Sequence, residues 1–323
     1  MIATTITLNP CLDRREYLES FRYGETNRPY KTELSAGGKG INVSKALIDL
    51  VRRYGDFKNL RVNTVSYAGG KNGEIFKSLL DRELSLGEAI SGVTLIPSSF
   101  ETRVCTKLIT PGAVSEINEA GRLSKTELMA LVDVLADLVA MGNEQLVFLS
   151  GSMPTVVGED GFTQNDEIFK SFPQLVGSSV ENFLITLLES CGIPVIVDTS
   201  KESLVESLKA SPTLIKPNEA ELSDLFGRPF SSKQELVDFC RELYVDNGSA
   251  VLCTLGEKGA VYVGKEGIFE QESHRVFPCD PTGAGDTFLA AFSYGYFVKK
   301  EDPKTALAFA DRYTREYLIN SLS

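Results

Sequence analysis

The segment richest in possible chemistry is DPTGAGD at residues 280–286, which a helix-forming run follows directly. Glycines at 283 and 285 let the backbone approach a ligand closely, and the start of a helix offers N–H groups to a phosphate. Asp286 would lie in the first helical turn, where a carboxylate could accept a proton from an attacking hydroxyl. A tight turn followed by a carboxylate that merely stabilises the helix end fits the same residues.

A second glycine-rich segment, AGGKGIN, occupies residues 36–42 and opens another amphipathic helix. Gly38, Lys39 and Asn42 place backbone and polar side chains where a small polar ligand could bind. The segment is not a P-loop, because glycine follows the lysine where that motif needs Ser or Thr. A flexible turn before a helix explains it equally well.

The segment KPNEAE at residues 216–221 directly follows a predicted strand. Asn218 and Glu221 are three positions apart, so their oxygens and bound water could meet Mg²⁺ at the start of a helix. The same spacing forms a capping pair, which needs no metal. A further turn, at residues 254–260, has glycines at 256 and 259 and indicates no chemistry of its own.

Four more polar residues follow strands or lie in turn-rich stretches. Asp13 and Ser152 come just after predicted strands, whereas Arg28 and Arg103 are isolated arginines. Each has an ordinary explanation as a turn residue or a surface charge. Because open α/β sheets bind ligands at the carboxyl ends of their strands, these signals carry more weight together than singly.

Composition narrows the function classes further. The chain has 323 residues, of which 42% are hydrophobic, and its 33 Lys and Arg against 44 Asp and Glu give a net charge of −11. Such a chain can bury a core and would repel nucleic acid and anionic membranes. A single histidine and six cysteines without a CxxC pair argue against zinc sites and disulfides. We expect a soluble, cytoplasmic protein, since neither a signal peptide nor a long apolar run is present.

Strand-like and helix-like segments alternate along most of the chain, which predicts a parallel sheet covered by helices on both faces. Predicted strands lie at 4–8, 60–67, 145–149, 193–197, 213–215 and 250–255, and predicted helices at 41–53, 72–84, 179–190, 284–299 and 303–320. Another helix starts at the capping box of Ser124 and Glu127.

Two stretches, 11–35 and 92–121, are turn-rich and strand-like and predict a second, small sheet. The large domain then comprises residues 1–10, 36–91 and 122–323. Residues 155–178 look like a polar insertion within it.

Taken in order, these motifs resemble the PfkB (ribokinase-like) family of carbohydrate kinases, in particular its branch of 1-phosphofructokinases and tagatose-6-phosphate kinases. The resemblance spans residues 4–292. It is carried by TLNP at 7–10 with Asp13 after it, GGKGIN at 37–42, Arg103 after Glu-Thr, SGSMP at 150–154, KPNEAE at 216–221 and GAGD at 283–286.

The resemblance implies a ribokinase-like, doubly wound α/β fold with a small β-sheet lid, often shared in a homodimer. It implies a base at Asp286 and an anion hole made by the backbone of Gly283, Ala284 and Gly285. It also implies sugar contacts from Asp13, Gly38, Asn42 and Ser152, contacts to a substrate phosphate from Arg28, Lys39 and Arg103, water-mediated Mg²⁺ positioning by Asn218 and Glu221, and contacts towards ATP from Lys216, Asn218, Glu221, Thr254, Gly256 and Gly259.

The implied activity is the Mg²⁺- and ATP-dependent phosphorylation of a ketohexose phosphate, with fructose 1-phosphate as first choice. Tagatose 6-phosphate and fructose 6-phosphate are the alternatives. A ribokinase or nucleoside kinase is a further rival, as is a catalytically silent sugar-phosphate sensor, although a sensor has no need of Asp286. An NAD-dependent dehydrogenase is disfavoured, because no GxGxxG fingerprint follows a strand.

Overall fold

A computed structural model describes residues 1–56, 58–85, 91–142, 144–157, 178–273 and 282–320. Helices within these ranges are α1 (Lys39–Tyr54), α2 (Gly70–Glu83), α3 (Lys125–Ala140), α4 (Val180–Ser190), α5 (Glu202–Leu208), α6 (Glu219–Phe226), α7 (Lys233–Asn247), α8 (Ala284–Ser293) and α9 (Pro303–Asn320). The strands are β1 (Ile2–Thr7), β2 (Cys11–Tyr17), β3 (Lys31–Gly37), β4 (Arg61–Ala68), β5 (Ser91–Pro97), β6 (Arg103–Thr110), β7 (Ala113–Asn118), β8 (Arg122–Ser124), β9 (Gln145–Ser150), β10 (Thr155–Val157), β11 (Val195–Asp198), β12 (Leu214–Ile215), β13 (Ala250–Thr254), β14 (Ala260–Gly264) and β15 (Gly267–Gln271).

The large sheet has nine strands in the order β15-β14-β13-β12-β11-β9-β1-β4-β5. The seven strands β13, β12, β11, β9, β1, β4 and β5 run parallel to one another, and β14 and β15 add an antiparallel edge. The predicted doubly wound α/β fold is therefore confirmed. It arises because short apolar strands alternate with amphipathic helices, which must cover both faces of the sheet.

Two hydrophobic cores lie on opposite faces of this sheet. Strand β9 contributes to both, with Val147 and Leu149 on one face and Leu146 and Phe148 on the other. Helices α3 to α7 cover the first face, and α1, α2, α8 and α9 cover the second. Successive side chains of a strand point to opposite faces, so a strand that is buried on both faces is apolar at most of its positions.

Helix boundaries follow local sequence signals closely. The predicted capping box forms at the start of α3, where the side chain of Ser124 accepts from the backbone of Glu127 and Glu127 reaches back. The structure differs from the single helix predicted for residues 284–299 in the second half of that segment. Helix α8 ends at Ser293, and residues Tyr294–Val298 form a π-helical turn.

A separate sheet of four strands has the order β3-β2-β6-β7, which confirms the predicted small sheet. Its predicted second segment, 92–121, is wrong at its beginning. Residues 92–97 belong to β5, which pairs in parallel with β4 at the edge of the large sheet. Strands β4 and β5 with the crossover helix α2 form a βαβ unit, which places β5 beside β4. The sequence pattern of β5 alone could not assign this strand to either sheet.

Only the first residues of the predicted insertion at 155–178 are part of a described element. Thr155–Val157 form β10, which pairs with β8 in a two-stranded sheet, and residues 158–177 lie outside the described residues. Within the described part of the chain, no helix has both the length and the apolar character that crossing a membrane requires.

Candidate active site

A cleft of about 810 Å³ lies between the carboxyl ends of the large-sheet strands and one face of the small sheet. Of the residues selected from sequence, all except Arg28 and Glu221 line it. They are Asp13, Gly38, Lys39, Asn42, Arg103, Ser152, Lys216, Asn218, Thr254, Gly256, Gly259, Gly283, Ala284, Gly285 and Asp286. Signals scattered over most of the sequence therefore converge on one site, as expected for ligand binding at strand ends.

Asp286 and Asn42 meet at the centre of this cleft. Each lies in the first turn of its helix, α8 and α1 respectively, and Asn42 Nδ2 donates a hydrogen bond to Asp286 Oδ2 over 2.8 Å. Asp286 is buried, with only 6% of the residue exposed. Burial and the nearby Asp198 charge raise its pKa to about 6, against the opposing effects of Asn42 and two lysines. A carboxylate of this pKa is a competent general base near neutral pH.

A buried ion cluster supports this centre. Asp198, at the end of β11, is fully buried and lies 2.9 Å from Lys39 Nζ and 3.3 Å from Lys216 Nζ. Burial would raise the pKa of Asp198, but the two lysines hold it below its usual range. The pKa of Lys39 is correspondingly raised, because Asp198 and Glu221 outweigh its own burial. The cluster keeps the Lys39 ammonium charged within the cleft.

Two glycines have backbone conformations that other residues adopt only with strain. Gly38 precedes α1 with φ of 130°, and a Cβ there would approach Thr7 Cγ2 to 2.7 Å. Gly283 precedes α8 with φ of 81°, and a Cβ there would lie 2.9 Å from Tyr317 Oη. Both helix starts that carry the Asn42–Asp286 pair therefore require glycine at the cap.

Asn218 and Glu221 form the capping pair that the alternative explanation predicted. Asn218 Oδ1 accepts from the Glu221 backbone N–H over 2.8 Å, and Glu221 Oε2 accepts from the Asn218 N–H over 2.9 Å. Glu221 is not a cleft-lining residue, but its Oε1 lies 3.9 Å from Lys39 Nζ. Asn218 also bridges to Thr254 at the end of β13. The capping role leaves the second Glu221 oxygen facing the lysine cluster.

Asn218 and Glu221 fit one mode of Mg²⁺ binding, in which the protein contacts the ion through its water ligands. No group of three or more His, Cys, Asp or Glu side chains in the described ranges could enclose a metal. Mg²⁺ commonly keeps several waters and binds through substrate phosphates with one or two carboxylates nearby. Glu221 and the amide oxygen of Asn218 suit that outer position and no all-protein cage.

The small sheet contributes a charged face to the cleft. Asp13 on β2 lies 3.2 Å from Lys107 Nζ on β6. Arg103, also on β6, donates to three backbone carbonyls, those of Asn9, Pro10 and Glu119, over 2.9–3.3 Å. Its guanidinium thus ties the β1–β2 connection to the end of β7 while lining the cleft.

Arg28 was expected among the contacts to a substrate phosphate, and the structure does not bring it there. It is exposed in the connection between β2 and β3, and it is not a residue of this cleft. Nothing in the sequence fixes the direction of a long polar connection, so an arginine there has no predictable partner. Ser152, by contrast, lies in the cleft and accepts a hydrogen bond from Asn9 Nδ2 over 3.0 Å.

Sequence reasoning missed several site residues. Asp198 ends a strand, so the reasoning that selected Asp13 would have found it. Lys107 follows Arg103 and Cys105 at alternate positions of β6, which places all three on one face. Asp311, Thr314 and Arg315 of α9 also line the cleft. No sequence signal marks these last three, because a helix from the end of the chain meets the site only through tertiary packing.

Comparison with known proteins now identifies the family. Residues 6–314 match the pfkB family of carbohydrate kinases. The chain belongs to this family. It is therefore a phosphotransferase with an alcohol group as acceptor.

Relatives of this carbohydrate kinase include proteins named 1-phosphofructokinase. That of Borreliella burgdorferi is 28% identical over 294 residues, covering 90% of this chain and 84% of the relative. Those of Bacillus subtilis and Escherichia coli are each 29% identical, covering 93% of this chain and 86% of each relative.

Solved structures share the fold. Phosphofructokinase-2 from Escherichia coli, in its tetrameric inhibited form, superposes with a TM-score of 0.79 at 22% identity. The alignment covers 98% of this chain and 94% of that one. At this identity the likeness establishes the ribokinase-like architecture of the kinase.

Proposed function

We propose that this kinase transfers the γ-phosphoryl group of ATP to a hydroxyl of a ketohexose phosphate, with fructose 1-phosphate as substrate and fructose 1,6-bisphosphate as product. The observation that carries the proposal is the buried Asp286 carboxyl, oriented by Asn42, in a cleft with lysines on both sides. Relatives named 1-phosphofructokinase support the choice of substrate.

Asp286 acts as the general base in this scheme. Its carboxylate accepts the proton of the acceptor hydroxyl as that oxygen forms a bond to the γ-phosphorus. The bond from the γ-phosphorus to the bridging oxygen breaks, and ADP leaves with that electron pair. Because the transition state is loose, catalysis depends mostly on positioning and on charge stabilisation.

The nucleotide side of the cleft supplies that stabilisation. The backbone of Gly283, Ala284 and Gly285 at the start of α8 forms the anion hole, where the N–H groups of a first helical turn favour developing negative charge. Lys216, Asn218, Thr254, Gly256 and Gly259 contact ATP. Bound Mg²⁺ would neutralise charge on the β- and γ-phosphates, with Asn218 and Glu221 orienting its water ligands.

The small-sheet side receives the sugar. Asp13, Gly38, Asn42 and Ser152 contact its hydroxyls, and Lys39 and Arg103 contribute positive charge for the phosphate that the sugar already carries. An acidic protein needs such a local group of cations to bind an anionic substrate. These cations distinguish the proposed substrate from an unphosphorylated sugar or nucleoside.

A homodimer through the small sheet is part of the proposal. The face turned away from the cleft exposes Leu34 on β3 and Ile117 on β7, which are 37% and 60% exposed. In the strand register, Leu34 pairs with Arg14 and Ile117 pairs with Thr106, and all four side chains belong to that outer face. Pairing two copies would bury these apolar side chains. Light scattering of the purified protein tests this, with Ile117→Lys expected to yield monomers.

The decisive experiment is an ATP-turnover panel over fructose 1-phosphate, fructose 6-phosphate, tagatose 6-phosphate, fructose, ribose and adenosine. We expect the highest kcat/KM with fructose 1-phosphate. A higher value with either 6-phosphate would select that alternative substrate. Preference for ribose or adenosine would overturn the sugar-phosphate assignment, and no turnover with any acceptor would favour the silent sensor.

A further inference from the structure

Lys107 is a buried cation on the substrate side of the cleft. Its side chain is 7% exposed, and Nζ lies 3.2 Å from Asp13 Oδ2 and 4.0 Å from Glu116 Oε1. Lysine is rarely buried to this degree without a partner, because its ammonium loses hydration. All three residues line the cleft. The ammonium is therefore held at the cleft wall by two carboxylates rather than packed into a core.

Arg103, which the sequence analysis assigned to the substrate phosphate, uses most of its guanidinium in hydrogen bonds to the protein backbone. Its Nε, Nη1 and Nη2 each donate to a backbone carbonyl, so three of the five guanidinium N–H groups are occupied. Two N–H groups are left for a ligand. The bonds to Asn9 and Glu119 fix the arginine and give it a bracing role in the connections that shape the cleft.

We propose that Lys107 binds the phosphate group that the sugar already carries, and that Glu116 competes with this phosphate for its ammonium. The proposal deepens the proposed function and rests on it. A phosphate dianion offers several charged acceptor oxygens to an ammonium with three donors. Lys107 thereby becomes a specificity-determining residue for phosphorylated over unphosphorylated sugars.

The two carboxylates beside Lys107 play different parts. Asp13 is 8% exposed and keeps its ion pair with Lys107. Glu116 lies on the edge strand β7, and its side chain is 46% exposed. An exposed glutamate loses little on turning into water, whereas its charge beside a bound phosphate would be repulsive. We expect Glu116 to leave the ammonium when the phosphosugar binds.

The proposal is tested by a specificity ratio that Lys107→Met and Glu116→Gln should change in opposite directions. The ratio is kcat/KM for fructose 1-phosphate divided by kcat/KM for fructose, in the full chain with ATP. Lys107→Met should lower it about 10- to 100-fold, since a charged hydrogen bond is lost only with the phosphosugar. Lys107→Arg should restore part of it. Glu116→Gln should raise it about two- to fivefold by removing the competing carboxylate.

Arg15→Gln is the matched control. Arg15 also lies near Asp13, with Nη2 at 3.8 Å from Oδ2, but it is not among the cleft-lining residues. Its loss perturbs Asp13 without removing a cleft cation, so the ratio should stay within about twofold of wild type. A ratio that falls as far in Arg15→Gln as in Lys107→Met would overturn the proposal.

Failure of this inference differs from failure of the proposed function. If wild type prefers fructose 1-phosphate and Lys107→Met keeps the full preference, Lys107 has no phosphate role and the function stands. If wild type shows no preference for phosphorylated sugars, the proposed function itself fails. Competitive inhibition by inorganic phosphate gives a second readout. Lys107→Met should weaken it about tenfold, and an unchanged inhibition constant would count against Lys107.

Discussion

Asn42 Nδ2 donates a 2.8 Å hydrogen bond to Asp286 Oδ2, joining two residues that stand 244 positions apart in the chain. Each belongs to the first turn of a helix that begins at a glycine. The bond occupies Oδ2 of the carboxylate, so the proposed role of general base falls to Oδ1. It also restricts rotation of the carboxyl, which a general base at this position would need in order to face one acceptor hydroxyl.

Changing Asp286 to Asn preserves the shape of the side chain and removes proton acceptance. We expect kcat to fall by about 10²- to 10⁴-fold with saturating substrates. Affinity for ATP should change little, because the base acts on the acceptor hydroxyl. A kcat close to that of wild type would exclude Asp286 as the base.

The same substitution should stabilise the fold at neutral pH. Burial raises the pKa of Asp286 from 3.8 to about 6, so the ionised form is less favourable in the folded than in the unfolded chain. Asp286→Asn removes this cost, a gain on the order of 1–3 kcal/mol at pH 7. The gain should shrink as pH falls through 6 towards 3.8. Urea unfolding at pH 5 and pH 8 measures it, and a variant less stable at both would contradict the argument.

Substitution of two neighbours of Asp286, Asn42 and Asp198, should shift the pKa of its carboxyl in opposite directions. We expect the acid limb of kcat/KM at a pH of about 6 in wild type. Asn42→Ala removes a hydrogen bond to the carboxylate and should shift the limb upward. Asp198→Asn removes a like charge and should shift it downward. Shifts of the same sign in both variants would show that another group titrates.

Arg103 should matter for structure as well as for binding. Arg103→Ala breaks three bonds to backbone carbonyls, so we expect a loss of about 2 kcal/mol or more in the free energy of unfolding. The kcat/KM for the phosphosugar should fall about one to two decades. Arg103→Lys should recover only part, because an ammonium cannot span the carbonyls. Arg14→Ala is the control, since that side chain is 52% exposed. Unchanged stability in Arg103→Ala would refute the bracing role.

The small sheet should close over the sugar as one unit. Binding of sugar phosphate and nucleotide together should protect β2, β3, β6 and β7 from amide exchange in concert, because closure excludes water from the cleft. Strand β5 is the internal control, as it belongs to the large sheet. Independent changes in the four strands, or equal protection of β5, would contradict a single lid.

Local sequence signals determined much of the fold and of the site. Fully buried strands such as β1 and β9 end at polar turns, and helix starts carry glycines or capping residues such as Ser124. These features are encoded within a few neighbouring residues, so their positions could be read directly. The rule that ligands bind at strand ends then selected Asp13 and Ser152 without any knowledge of contacts.

Tertiary structure decided which of these signals meet and what each side chain does there. Strand β5 joins the large sheet because its partner β4 lies beside it, although its own sequence suits either sheet. Arg103 donates to backbone carbonyls, and Lys107 lies between Asp13 and Glu116 at the cleft wall, because β2, β6 and β7 align in one register. Hydrogen bonds and ion pairs act over about 3–4 Å, and only packing brings distant segments that close. The hydrogen-bonded pair of Asn42 and Asp286 therefore exists in the fold alone, although both residues stand out in the sequence.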